Sequence, residues 1–185
     1  MADPVLLTLS GSLRREATNR KLLAEAARVF GPATVVEADL HLPLYDGDAE
    51  AADGIPPAVQ LLADQIAAAD AVAISTPEYN KGPSGVLKNA LDWVSRTEGN
   101  PWADKPVAVM SAAAGRAGGE LAQALLRGFL VPFQPRILTG PGVHLAGSSK
   151  EFDETGRLTS DHYEATLSKL MLKLRFATTR KATKL

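Results

Sequence analysis

Four short apolar runs, Val5–Leu9, Thr34–Val36, Ala71–Ile74 and Pro106–Met110, are separated by stretches whose apolar residues recur with helical spacing. A run that is apolar throughout, rather than alternating, belongs to a strand covered on both faces. Arg136–Leu138 reads as a weaker fifth strand, hemmed in by Pro132, Pro135 and Pro141. Between the strands, Leu23, Ala26, Ala27 and Phe30 share one helical face, as do Val59, Leu62, Ala63 and Ile66, and Leu87, Ala90, Leu91 and Val94. Leu121, Ala124 and Leu125 mark a fourth helix, and Leu167, Leu170, Met171 and Leu174 a fifth. Asp46 to Pro57, rich in Asp, Gly and Pro, reads as a surface loop. The alternation predicts an α/β fold, a doubly wound parallel sheet with right-handed crossovers. The length, 185 residues, fits a single domain over 1–185.

Composition narrows the functional classes. With 20 basic and 21 acidic side chains the chain offers no overall basic character, so no nucleic-acid partner is expected. The absence of cysteine excludes disulfides, thiolate metal sites, iron–sulfur clusters and a cysteine nucleophile. The N-terminus lacks a signal-peptide pattern and no stretch approaches the ~20 apolar residues of a bilayer span, so a cytoplasmic protein without a membrane partner is expected. The basic end, Lys173 to Leu185, reads as a solvated, frayed terminus.

Three loops follow the first, third and fourth strands. In the first, Ser10-Gly11-Ser12-Leu13-Arg14 leads through Thr18 and Asn19 into a helix. Hydroxyls, an amide and a guanidinium beside a helix N-terminus suit a terminal phosphate. The same residues also serve a plainer role, Thr18 or Asn19 capping the helix and Arg14 solvated. Neither G-x-x-x-x-G-K-[ST] nor G-x-G-x-x-G occurs here. The second loop, Thr76-Pro77-Glu78-Tyr79-Asn80, offers a ring, a carboxylate and an amide to a flat, polar-edged heterocycle, or is simply a turn. The third, Ser111 to Gly119, carries Gly115 and Arg116 and lets backbone approach a ligand, or is a plain connection. The three converge if the strand order is the flavodoxin-like 2-1-3-4-5, because ligands sit beyond the carboxyl ends of the strands at the switch point.

Other chemistries find no support. There is no Gly-x-Ser-x-Gly elbow. His41, His144 and His162 lack metal spacing, Asp46-Gly47-Asp48 reads as a polar turn, and Trp93 and Trp102 read as packing or interface residues. No catalytic side chain and no metal site is expected, as befits a protein whose cofactor carries the chemistry.

Taken together, Gly11-Ser12-Leu13-Arg14 with Thr18-Asn19, Leu42 to Asp46, Thr76 to Asn80 running into Ser84-Gly85-Val86-Leu87-Lys88-Asn89-Ala90-Leu91-Asp92-Trp93, Lys105 to Ala108 and Gly115 to Gly119 resemble the NADPH-dependent FMN reductase family. That family of flavodoxin-like flavoproteins includes quinone, chromate and azo-dye reductases. The resemblance covers Val5 to Leu138; Thr18 stands where serine is more usual and Ala17 where glycine is frequent. It implies a five-stranded flavodoxin-like sheet, bound FMN, and NADPH or NADH as co-substrate. Ser10, Ser12, Leu13, Arg14, Thr18 and Asn19 would cradle the phosphate end, and Pro77, Glu78, Tyr79 and Asn80 the ring, with Ser111, Gly115 and Arg116 nearby. It further implies hydride transfer to a small-molecule acceptor and a homodimer or homotetramer. The rival reading is a flavodoxin-like electron carrier without NADPH oxidation of its own; such carriers are strongly acidic, whereas this chain has net charge −1.

Overall fold

The computed structural model describes residues 3–179. In chain order the elements are β1 (Val5–Ser10), α1 (Thr18–Phe30), β2 (Thr34–Glu37), α2 (Gly47–Asp53), α3 (Pro57–Ala68), β3 (Ala71–Thr76), α4 (Gly85–Val94), β4 (Pro106–Ala112), α5 (Glu120–Leu130), β5 (Arg136–Ile137), β6 (His144–Leu145) and α6 (Asp161–Thr179). Single 3-10 turns occupy Val131–Phe133 and Ser148–Lys150. The sheet is parallel with the order β2-β1-β3-β4-β5, as the sequence implied. β6 is an addition: after β5 ends, it pairs with the far end of β4, Ser111 opposite His144.

Every residue of β3 and β4 is buried, which is why both read as unbroken apolar runs. Alternation still sorts their side chains. Leu7, Leu9, Val72, Ile74, Val107 and Val109 pack on one face with α3, α4 and α5. On the other, Ala71, Ala73 and Ala108 are small, and α1 and α6 pack there through Leu22, Leu23, Phe30, Leu167, Leu170 and Leu174. Each fully buried leucine or isoleucine contributes about 1.5–3 kcal/mol relative to an exposed one, so the two layers together hold the strand ends in fixed relation.

Three expectations change. The Asp46 to Pro57 segment contains α2: the Asp46 carboxylate caps it, accepting from Asp48 N–H at 2.9 Å, and no residue of the helix is buried. Without an apolar stripe it had no periodic signal. Helix α5 exists, but Leu121 and Leu125 are 46% and 40% exposed, and its buried face is Ala122, Gln123, Leu126 and Leu130. Gln123 satisfies its amide inside, donating to Ser111 Oγ at 3.2 Å and Val143 O at 3.1 Å. Lys173 and Arg175 belong to α6 rather than to a frayed end, and the rest of the basic terminus, from Arg180 on, lies outside the described residues. Trp93 is a packing residue: it is buried, donates to Pro43 O at 2.8 Å and meets Tyr45 edge-on.

Candidate functional site

The loop after β1 is shaped by its own side chains. Ser10 Oγ donates to Ser12 O at 3.1 Å and accepts from Ser12 N–H at 3.2 Å, closing a buried turn. Gly11 donates to Ser75 O at 2.8 Å, and a Cβ there would lie 2.7 Å from Leu87 Cδ1 and 2.8 Å from Pro77 Cδ. Glycine is therefore demanded by the neighbouring loop. Leu13 and Arg14 are exposed, and Arg14 has no carboxylate partner among the described residues.

Helix α1 begins without a side-chain cap, because Ala17 occupies the N-cap. Its leading N–H groups are thus left open, and the dipole favours an anion there. Neither Thr18 nor Asn19 takes the capping role. Thr18 Oγ1 lies 3.0 Å from Ser148 Oγ. Asn19 is buried and held at both amide atoms: its Nδ2 donates to Ala112 O at 3.0 Å, and its Oδ1 accepts from Ser75 Oγ at 2.7 Å and Ala112 N–H at 3.1 Å. It clamps α1 to the ends of β3 and β4, with one of its two amide N–H groups spent on Ala112 O.

The loop after β3 turns back on itself through reciprocal bonds between Tyr79 and Gly82, both 3.0 Å. Asn80 and Lys81 take positive φ of 51° and 67° in this turn, a conformation asparagine tolerates better than most residues. Glu78 points to α5, where its Oε2 accepts from Ala122 N–H at 3.1 Å, supplying the cap that Gly119 cannot. Its other oxygen lies 3.7 Å from Lys81 Nζ. In the third loop, Ser111 is buried and donates to Gly118 O at 2.7 Å. Gly118 has φ 60°, and a Cβ would stand 2.3 Å from His144 O, so β6 presses directly on this loop.

The loops enclose a cleft of about 430 Å³ at the carboxyl end of the sheet, within the range of small-molecule sites. Ser12, Arg14, Thr18 and Asn19 form one wall, with Glu16, Ala17 and Lys21. Pro77, Glu78 and Tyr79 form a second, and Ala112, Ala113 and Ala114 a third. Ser148 and Ser149 close it from the turn after β6. Sequence reasoning missed these two. The available signal was a further Gly-Ser-Ser hydroxyl cluster at Gly147, but it follows no strong strand pattern. Of the residues singled out, Ser10, Leu13, Asn80, Ser111, Gly115 and Arg116 do not line the cleft. Ser10 and Ser111 instead fasten the loops that do.

A strand-end cleft with an uncapped helix, an unpaired arginine and an apolar-walled slot is what a phosphate-bearing aromatic cofactor requires of a doubly wound fold. The model of the NADPH-dependent FMN reductase family matches residues 4–149, and the chain belongs to that family. It is 43% identical over 164 residues to an NAD(P)H-dependent FMN reductase of Pseudomonas aeruginosa, covering 87% of this chain and 88% of that one. It is 39% identical over 140 residues to a quinone reductase of Escherichia coli, 74% of each chain. Among solved structures it resembles FerB, a flavoenzyme NAD(P)H:(acceptor) oxidoreductase from Paracoccus denitrificans, with TM-score 0.85, 29% identity, and 95% and 97% of the two chains covered. The family is one of oxidoreductases.

Proposed function

We propose that this chain binds FMN in the strand-end cleft and passes reducing equivalents from NADPH or NADH to a small-molecule acceptor, a flavin or a quinone. The observation that supports it best is the pairing of an uncapped α1 N-terminus with an Arg14 that no carboxylate of the described residues neutralises, in one wall of a cleft that Pro77 and Tyr79 also line. The residues fit the group. The phosphate would meet Arg14, Ser12, Thr18 and the first-turn N–H groups, while the cleft carboxylates Glu78 and Glu16 are already met by Ala122 N–H and by Lys21 at 3.5 Å. The ring would lie between the Pro77–Tyr79 wall and Ala112 to Ala114.

Bound FMN supplies hydride acceptance and donation. The protein's part is to hold and to shield. Arg14 and α1 fix the anionic end; the alanine wall brings backbone close to the ring without bulk; Tyr79, half exposed, stands at the mouth where a second planar molecule arrives. A homo-oligomer belongs to the same reading and would cover some of the exposed Leu44, Leu121 and Leu125.

The test is anaerobic mixing of the FMN-loaded protein with NADPH. Bleaching of the flavin absorbance followed by turnover with a quinone or free flavin is expected; a flavin that stays oxidised until a separate reductase is added would reverse the reading in favour of a carrier. Arg14→Ala should weaken FMN retention by about 1–3 kcal/mol, the scale of a hydrogen bond to a charged group. Unchanged affinity by fluorescence titration would refute the phosphate assignment.

A further inference from the structure

Helix α6 buries Leu167, Leu170, Met171 and Leu174 against the sheet. On the opposite side Leu172 and Phe176, one turn apart, stand 53% and 63% exposed. Helical spacing puts Lys169 and Lys173 on that same outer face. Two shallow grooves flank it: one of about 560 Å³ where Lys169, Leu172 and Lys173 meet Thr139 and Pro141, and one of about 540 Å³ where Lys173 and Phe176 meet Arg136 and Leu138. Lys173 donates to Gly140 O at 3.0 Å, and Arg136 to Asp104 O at 2.8 Å, both backbone oxygens. No carboxylate of the described residues pairs with Lys169, Lys173 or Arg136. The sequence adds Arg180, Lys181 and Lys184 just beyond.

We propose that this face docks reversibly on an anionic lipid surface. The patch joins two unmatched needs, a counter-charge for three cations and cover for two large apolar side chains. A second copy meeting it through a two-fold contact would press a patch of three cations against an identical patch and supply no counter-charge. A nucleic acid would satisfy the cations and leave Leu172 and Phe176 wet. The headgroup region of a bilayer meets both needs, phosphates at the lysines and the acyl boundary at the ring. Docking of this kind needs no spanning helix. It leaves the cleft free, since no residue of the patch lines it. A small patch gives weak, salt-reversible attachment.

The experiment is co-sedimentation of the full-length protein with vesicles of phosphatidylcholine alone and of phosphatidylcholine mixed with phosphatidylglycerol. Pelleting with the mixed vesicles only is expected, with release at ~0.5 M salt, where screening shortens to about 4 Å. Lys169→Gln should lower partitioning roughly fivefold, the effect of one cation near an anionic surface. Phe176→Ser should lower it roughly tenfold through lost apolar burial. Both side chains are exposed, so melting temperatures should stay at the wild-type value; Leu172→Ser supplies a third, independent reading. Absence of pelleting, equal pelleting with both vesicle kinds, or indifference to all three substitutions would overturn the proposal. So would tighter binding of a short DNA duplex that Phe176→Ser leaves unchanged, or a dimer that Phe176→Ser dissolves. Flavin content and turnover are read separately, so failure here leaves the cofactor reading standing, and the reverse.

Discussion

Asn19 separates two accounts of the site. The sequence makes it a phosphate donor; the structure makes it a clamp. Its carboxamide makes three buried hydrogen bonds, to Ala112 O, Ala112 N–H and Ser75 Oγ, at 3.0, 3.1 and 2.7 Å. Asn19→Ala removes all three. A typical buried hydrogen bond contributes about 1 kcal/mol net, and each partner left unsatisfied costs about 1–3 kcal/mol. Ser75 can rotate its hydroxyl, but the Ala112 N–H and C=O are fixed in β4. The expected loss is therefore about 3–4 kcal/mol, a large share of the roughly 5–15 kcal/mol that holds a domain folded. At about 2–4 °C per kcal/mol for a chain of this size, the melting temperature should fall by roughly 6–16 °C. The assay is urea unfolding of flavin-free protein, reading the midpoint at constant slope. Asn19→Asp keeps the acceptor and loses the donor, and buries a charge, so it too should destabilise the flavin-free form. A flavin-free Asn19→Ala protein within about 0.5 kcal/mol of wild type, the ordinary scatter of a surface substitution, with FMN affinity alone reduced, would refute the clamp and restore the donor.

Two further outcomes follow from the same geometry. Gly11→Ala places a Cβ 2.7, 2.8 and 2.9 Å from Leu87, Pro77 and Ser84, whereas at Gly115 a Cβ meets nothing within 4 Å; the first should cost about 1–3 kcal/mol as overpacking and the second should be silent in a thermal melt. Glu25 is buried among Arg28, Arg157 and Leu158 N–H. Burial pushes its carboxyl up, yet the bonds from Arg28 and Leu158 N–H, with the charges of Arg28 and Arg157, outweigh this and hold it below the ordinary carboxylate value. A group depressed in the folded state contributes stability that is present above the unfolded value and lost as pH falls through the folded one. Glu25→Gln should therefore lower stability near neutrality and flatten the loss below pH 4.5; parallel acid limbs for the two proteins in urea titrations would refute it.

What the sequence disclosed depended on whether a physical pattern was one-dimensional. Strands β3 and β4 are buried on both faces, so their runs of Ala, Val and Ile were plain without a structure. The loops after them were located for the same reason, as the polar breaks that end those runs. Helix α5 shows the limit. Leu121 and Leu125 have helical spacing, but the buried stripe contains Gln123, whose amide N–H groups find Ser111 and Val143, residues 12 and 20 positions away. Residue type was likewise legible and direction was not. Ser10 and Ser111 are polar residues of the kind a cofactor site needs, yet both spend their hydroxyl donor on backbone. Ser148 reaches the cleft only because β6 adds to β4 beyond the end of β5, a pairing of two residues that leaves no periodic trace.

The internal expenditure of polar groups explains how the cleft is made ready. Gly11 is tied to Ser75, Glu78 to Ala122, Asn19 to Ala112, and Ser148 N–H to Ala113 O at 3.1 Å. Each bond joins two segments from different parts of the fold, so movement of these walls would break contacts between them. A ligand entering such a cleft orders little that is not already ordered, and the entropic cost of binding falls. The corollary is that few groups remain to recognise it. On the proposed phosphate side these are Arg14, the Ser12 and Thr18 hydroxyls, Lys21 and the open N–H groups at the start of α1. Recognition concentrated in so few donors predicts an uneven response to substitution. Residues that fasten the walls should act through stability of the flavin-free chain, and Arg14 through affinity alone. The two readouts, taken on the same set of variants, tell one kind of residue from the other.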